Sequence, residues 1–457
     1  MVRIALSVVV VSALAGPAAA DGLTLTVDQA IARVEPAAES LTAAREDLAR
    51  AAAQVDLARA GRLPQVNASA SFQHTFISEF KGGKITFPCD MVADPMCKPT
   101  VIDIPIGQTD IWRAGVNVTQ PLYDGGRTGA AIGLARAGAA ATELGITAQR
   151  TALVFAVAQA YWDAALAVRA VEIGQAALTS ADEVLAQTRL SYEHQAVAEF
   201  DLVRAQVARD NQATGLIQLA AQRDMAMTTL ARLIDAPLDQ PITLATPLEG
   251  DDGAAISEVA RRQAALVPGQ PPIAVAQAAA AVKVGDATLR QSRTALMPQV
   301  NASTDFGVVD YPEDVHPFNT DWRTSWSVSV GVTVPLFDGF RSRAATRAAR
   351  REVAAARARL ADVTEQVAVQ AKLVDAQLAA ATATWEQARR TVEQAQRAYA
   401  IAELRFNQGA STHLELVDAR TQLEQAELNR ARSARDVRVA TLRRDLLAGL
   451  PLGAGGP

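Results

Sequence analysis

The chain has 457 residues, a net charge of −5 and only 5% aromatic residues. That charge is too small to suggest a nucleic-acid partner, and the 44 basic residues, nearly all arginine, are offset by 49 acidic ones. Abundant alanine with few aromatics favours long, closely packed helices over one large aromatic core.

Residues 1–20 have a basic start, a short apolar run and an Ala-x-Ala end, the pattern of a secretory signal peptide cleaved after Ala20. The residue directly after that site is Asp21, not Cys, so no N-terminal lipid anchor is expected. Beyond it, no segment carries about 18 continuous apolar residues, so membrane entry is expected as strands rather than as a helix. A helix is predicted over 28–61. The segment LPQVNAS from Leu63 to Ser69 follows, and Val66, Ala68, Ala70 and Phe72 alternate with polar neighbours as a strand would. Cys89 and Cys97 come next; in an oxidising compartment this close pair reads as a disulfide, with two free thiols as the alternative. Trp112, Ala114, Val116 and Val118 alternate again, and the segment VTQPLYDGGR from Val118 to Arg127 leads into a predicted helix over 127–193. Its apolar positions, from Leu153 and Val157 to Thr188 and Tyr192, recur in steps of four and three, the seam of a left-handed coiled coil. Sixty-seven residues span about 100 Å as a helix. A polar break at 193–199 precedes a returning helix over 200–235.

The chain then repeats itself. VTVPLFDGFR from Val332 to Arg341 matches VTQPLYDGGR at an offset of 214, and MPQVNAS from Met297 to Ser303 matches LPQVNAS at 234. The first copy therefore carries 20 extra residues between these landmarks. The expected divisions are a signal peptide (1–20), a first repeat (21–238), a linker rich in Pro, Gly and Asp (239–270) and a second repeat (271–457). The second repeat is expected to hold helices over 271–296, 341–407 and 413–448, with strands around Val300 to Phe306 and Trp326 to Val334. Matched 115-residue stretches without proline, 122–236 and 336–450, permit the long helices.

Each strand has one apolar and one small or polar face, as transmembrane barrel strands do. Trp112, Trp322 and Trp326 lie toward the loops and Tyr123 and Phe337 toward the helices, where aromatic girdles mark membrane interfaces. Strands of a soluble sandwich are the alternative, but too few exist to supply a second sheet. Four strands cannot close a barrel in one chain, and open edges are not tolerated in lipid, so several chains must share one. His74, His194, His316 and His413 show no metal-ligand spacing, and no phosphate loop, nucleophile elbow or HExxH is present. Neither an enzyme nor a cofactor or metal is expected.

The duplicated strand entries and PLYDGG/PLFDGF turns, with FDLVRAQ from Phe200 and LELVDAR from Leu414, resemble the TolC-type outer membrane efflux proteins across nearly the whole mature chain. The resemblance implies a homotrimer in the outer membrane: a shared 12-stranded β-barrel continued by an α-helical barrel through the periplasm. It implies an exit duct for efflux or type I secretion, docked to a periplasmic adaptor protein and an inner-membrane transporter. It points to Glu415 and Asp418 as a periplasmic gate or selectivity ring, against the plainer reading of solvated carboxylates near a helix start. It points to the tips, Arg189, Leu190, Ser191 and Tyr192 with Leu404, Arg405 and Phe406, as adaptor contacts, against ordinary coiled-coil surface. Phe406 and Ser411 stand where the family often has a Tyr and an Arg that tie the gate shut. A soluble periplasmic coiled-coil scaffold is the competing function; it leaves the alternating strands unexplained.

Overall fold

The structure is a computed structural model that describes residues 23–77, 83–87, 100–104, 110–249, 269–312, 322–408 and 410–453. The signal segment and the Cys89–Cys97 pair lie outside the described residues. Two compact units form, and each draws on both repeats: residues 48–140 with 280–357, and residues 1–47 with 141–279 and 358–457.

The first of these units holds a four-stranded antiparallel sheet in the order β2-β5-β7-β8. Its strands are β2 (Gln65–His74), β5 (Asp110–Tyr123), β7 (Gln299–Asp310) and β8 (Arg323–Thr333). The hairpin registers put Val66 opposite Val118, Phe72 opposite Trp112, Val300 opposite Val332 and Phe306 opposite Trp326. Between hairpins Val116 faces Phe306 and Asn117 faces Asp305. Because side chains alternate at a period of two, these registers gather Val, Ala, Phe and Trp on one face. The other face collects Asn, Ser, Gly and Asp, cross-linked by hydrogen bonds from Asn117 Nδ2 to Asp305 Oδ1 (2.6 Å) and between the Ser303 and Ser329 hydroxyls (2.8 Å). Strands β2 and β8 are exposed along their whole length and leave both edges of the sheet open. The extra residues of the first copy hold a separate two-stranded ribbon, β3 (Gly83–Phe87) with β4 (Thr100–Ile104).

Helix α2 (Glu39–Ala60) leads into β2, and α3 (Arg127–Glu193) leaves β5. Helix α5 (Ile273–Arg293) and one 3-10 turn lead into β7, and α6 (Arg341–Asn407) follows β8. The two strand-to-helix turns are built alike. Asp124 accepts hydrogen bonds from the Gly126 and Thr128 N–H groups (2.9 and 2.6 Å), and Asp338 accepts from the Ser342 N–H (2.8 Å) and hydroxyl. These bonds satisfy N–H groups that the first helical turn leaves without intrahelical partners. Gly125, at φ +64°, fits only because it has no side chain: a Cβ there would sit 2.2 Å from Met297 Cβ.

In the other unit α4 (Glu199–Leu233) and α7 (His413–Leu446) return antiparallel to the long helices. The predicted coiled-coil seam is buried or half-buried along α3 from Leu153 to Thr188, and so are the duplicate positions along α6 from Val367 to Phe406, as a 3.5-residue repeat requires. The densest core gathers Val154, Val157, Tyr161 and Trp162 of α3 with Leu230 and Ile234 and, from the C-terminal segment, Leu442 and Leu446. A window of α3 is apolar enough by length and composition to cross a membrane, but 56% of it is buried, and packing accounts for its apolarity. The N–H of Ile273 donates to the Ala448 carbonyl at 2.7 Å and so joins the start of α5 to the segment after α7.

One expectation needs correction. The helix expected over 28–61 is two, α1 (Val27–Ala37) and α2, parted by an extended Ala38. Pro36 has no N–H to donate to the preceding turn, and the helix stops one residue after it. The segment 239–270 also holds a strand: β6 (Ile242–Leu244) pairs in parallel with β1 (Leu23–Leu25). Tyr161 pins this pair to α3, its hydroxyl donating to the Leu25 carbonyl (3.0 Å) and accepting from the Thr246 N–H (2.9 Å).

Candidate channel site: helix tips and strand ends

Both tip turns close with the same backbone bond between residues five positions apart: Ala196 N–H to Ser191 C=O and Ala410 N–H to Arg405 C=O, each 2.8 Å. These are the duplicate positions at an offset of 214. The first turn holds Gln195 at φ 57°, a left-handed conformation that costs a non-glycine residue on the order of 1 kcal/mol. The second copy has Gly409 at that position.

Helix α7 starts at an N-cap, Thr412, whose hydroxyl accepts from the Glu415 N–H at 3.3 Å. Ser411 Oγ donates to Glu415 Oε2 at 2.9 Å, and Arg405 Nη2 lies 4.0 Å from that oxygen while donating to the Ala410 carbonyl at 3.3 Å. Ser411 and Arg405 thus tether Glu415 to its own tip turn. Asp418 is exposed on the same helix face and accepts from Gln422 at 2.8 Å. The exposed stripe runs on through Gln425, which donates to Asn429 at 3.0 Å. Leu416 points the other way into the helix contacts, buried beside a small cavity of about 50 Å³ that is lined also by Ala177, Ala205 and Tyr399. Arg420 lies over the Tyr399 ring at 5.3 Å. The structure therefore brings Glu415 and Asp418 together on one free face of α7 and gives Glu415 a fixed position. The surface is polar and acidic.

At the first tip the matching residues are Asp201 and Arg204, both half-buried. Helix α4 instead exposes Phe200, Val203 and Val207, with Ile217 and Met225 further along. The predicted tip residues divide by burial. Arg189, Leu190, Tyr192, Leu404 and Arg405 are exposed, whereas Ser191 and Phe406 are half-buried. Gln187 Nε2 reaches Asn407 Oδ1 at 3.4 Å and links the two tips.

The predicted aromatics stand at both ends of the sheet. Trp112 stacks on Phe72 at 4.7 Å near the loops, and exposed Trp326 donates its indole N–H to Thr304 Oγ1 at 2.9 Å. Trp322 is exposed just before β8, and Tyr123 and Phe337 are exposed at the helix end.

Residues 30–235 and 273–448 match the outer membrane efflux protein family, and the chain belongs to that family. The two matched stretches follow the two copies. The fold is similar to that of the outer membrane protein VceC of Vibrio cholerae, with a TM-score of 0.71 and 18% identity over 93% of this chain and 96% of that one. It is likewise similar to the CmeC outer membrane channel of Campylobacter jejuni (TM-score 0.70, 14% identity, 93% and 86% covered). A third likeness is to the MtrE outer membrane channel of Neisseria gonorrhoeae (TM-score 0.68, 17% identity, 94% and 91% covered). No curated protein sequence matches the chain. The protein is an outer membrane efflux channel, and the soluble scaffold is set aside.

Proposed function

We propose that three copies of this chain pool their strands into one 12-stranded barrel and their helices into a tunnel, forming a passive duct for cargo handed over by an inner-membrane transporter and a periplasmic adaptor. The observation that carries this reading is the open-edged sheet with one apolar and one polar face. Such a sheet meets the demands of lipid only when its edges pair with other copies, and its faces then separate lipid from an aqueous lumen. The exposed Phe200, Val203 and Val207, spaced three and four apart on α4, support a second seam between copies. Energy comes from the partner, so the duct itself catalyses nothing.

At the tips, three copies would bring Glu415 and Asp418 together as a ring of six carboxylates, a chemistry that favours and binds cations. Exposed Leu190, Tyr192 and Leu404 offer apolar ground for an adaptor's helical hairpin, with Arg189, Ser191, Arg405 and Phe406 around them. Single-channel recording tests the ring. Replacing Glu415 and Asp418 by Ala should weaken block by multivalent cations, and unchanged block would remove both residues from that role. Trp112, Tyr123, Trp322, Trp326 and Phe337 fit the two membrane interfaces, where amphipathic rings reside.

A further inference from the structure

The two copies differ in chemistry where each second hairpin strand turns into its long helix. In the first copy the turn reads Gly125, Gly126, Arg127, and the helix continues with Gly129, Gly133, Arg136 and Ala137. The second copy has Gly339, Phe340 and Arg341, then Arg343, Arg347, Arg350 and Arg351 at the corresponding positions. Duplication makes the first copy an internal control: the turn and helix form there without the extra arginines or the aromatic ring.

The ring also carries a backbone cost. Phe340 sits at φ 63°, where its counterpart Gly126 sits at φ 83°. A bulky side chain in the left-handed region is a genuine outlier and persists only where its surroundings hold it. Phe340 is held by an edge-to-face contact with Phe337 (5.2 Å) and by the Arg343 guanidinium over its face (5.5 Å). It lines an open groove of about 540 Å³ between the end of α5 and the start of α6. Arg293, Arg343, Arg347 and Arg350 line the same groove, all exposed. Among the described residues no carboxylate pairs with Arg293, Arg347 or Arg350. Asp338, in the turn before α6, is committed to the Ser342 N–H and hydroxyl. Toward the sheet the lining turns apolar at Leu296, and Leu336 and Phe337 are exposed alongside.

We propose that this groove seats the phosphate headgroup of an anionic phospholipid from the membrane leaflet at the helix end of the sheet. The proposal rests on the reading that the sheet spans the membrane. Guanidinium groups match phosphate oxygens bidentately, and several unpaired guanidinium groups beside exposed Phe and Leu match a headgroup with its chains lying next to it. The groove lies where β7 begins and β8 has just ended, the level at which a leaflet's headgroups would meet the protein. Basic side chains beside an anionic leaflet each strengthen binding about fivefold.

The test uses the full-length protein in detergent micelles, titrated with phosphatidylglycerol, phosphatidylcholine or inorganic phosphate and read by native mass spectrometry. Phosphatidylglycerol should bind in preference to phosphatidylcholine. R347Q with R350Q should weaken it on the order of 25-fold, two fivefold steps, while R347K with R350K, which keeps the charge but loses the bidentate fork, should weaken it less. R136Q, at the first copy's equivalent of Arg350, should leave it unchanged. F340G separates site from scaffold: it should raise the melting midpoint, because glycine relieves the strained φ, yet weaken phosphatidylglycerol binding. Equal binding of the two lipids, or indifference to R347Q with R350Q, overturns the site. Displacement by equimolar inorganic phosphate overturns the lipid as its source. Loss of the assembly in R347Q with R350Q but not in the Lys pair assigns the groove to a neighbouring copy and overturns the proposal. A protein that conducts in planar bilayers but shows no lipid preference overturns the headgroup site alone; one that enters no bilayer overturns the channel reading beneath it.

Discussion

Gly125 offers a test of the strand-to-helix turn with its control built into the chain. An alanine at 125 keeps a φ of +64°, which costs an L-residue about 1–2 kcal/mol. Its Cβ would also stand 2.2 Å from Met297 Cβ, an atom next to the backbone that cannot swing aside. Such overpacking adds about 1–3 kcal/mol. Gly339 occupies the same place in the second copy, at φ 68°, but a Cβ there meets nothing within 4 Å. G339A should therefore cost only the backbone part, and G125A about 2–5 kcal/mol per chain, the sum of the two ranges. The difference between the variants isolates the Met297 contact. Denaturant midpoints of the purified assembly in detergent measure both. Equal midpoints for G125A and G339A would refute the packing argument, whatever the absolute losses.

Three further outcomes are expected. Y161F removes the hydroxyl that joins Leu25 and Thr246 to α3 and leaves a carbonyl and an N–H without that partner, at a cost of about 1–3 kcal/mol read as a lowered melting temperature; an unchanged value would mean the β1–β6 pair is held by other contacts. Asp338 is held below the usual carboxylate range by the Ser342 hydroxyl and N–H. Asp124 is also lowered: partial burial pushes it up, but the Thr128 hydroxyl and N–H with the Gly126 N–H outweigh that. Depressed acids stabilise fully above their unfolded value of about 3.9 and lose that contribution as the pH falls through the folded values, so D124N with D338N should flatten the acid-side loss of stability below about pH 4; an unaltered acid profile would contradict this. Non-reducing mass spectrometry should find Cys89 linked to Cys97, and two alkylatable thiols in protein purified without reductant would count against the bridge.

The long elements were legible because their signals are long. The helices expected over 127–193 and 341–407 run over those residues, and the alternation around Trp112 and Trp326 marks strands whose registers put the apolar residues on one face. A 3.5-residue repeat sustained over about 40 residues leaves little room for another reading. Short elements carried no such signal. Strands β1 and β6 have three residues each, fewer than a period-two pattern needs, and their pairing depends on Tyr161, more than 80 residues from either. The break at Ala38 was legible in principle from Pro36, but the helical pattern on either side outweighed one residue. At the tips, the types and spacing of Glu415 and Asp418 were visible, whereas the Ser411 and Arg405 contacts are three-dimensional and were not. The arginine groove joins Arg293 to residues some 50 positions later, and only the contrast of Phe340 with Gly126 hinted at it.

The account stands on the claim that one chain cannot complete a wall in lipid. The mass of the detergent-extracted particle, after subtraction of bound detergent, tests it most directly. Three chains per particle, formed only from membranes or detergent, is the predicted result. A folded single chain that stays in aqueous buffer and inserts into no bilayer would contradict it.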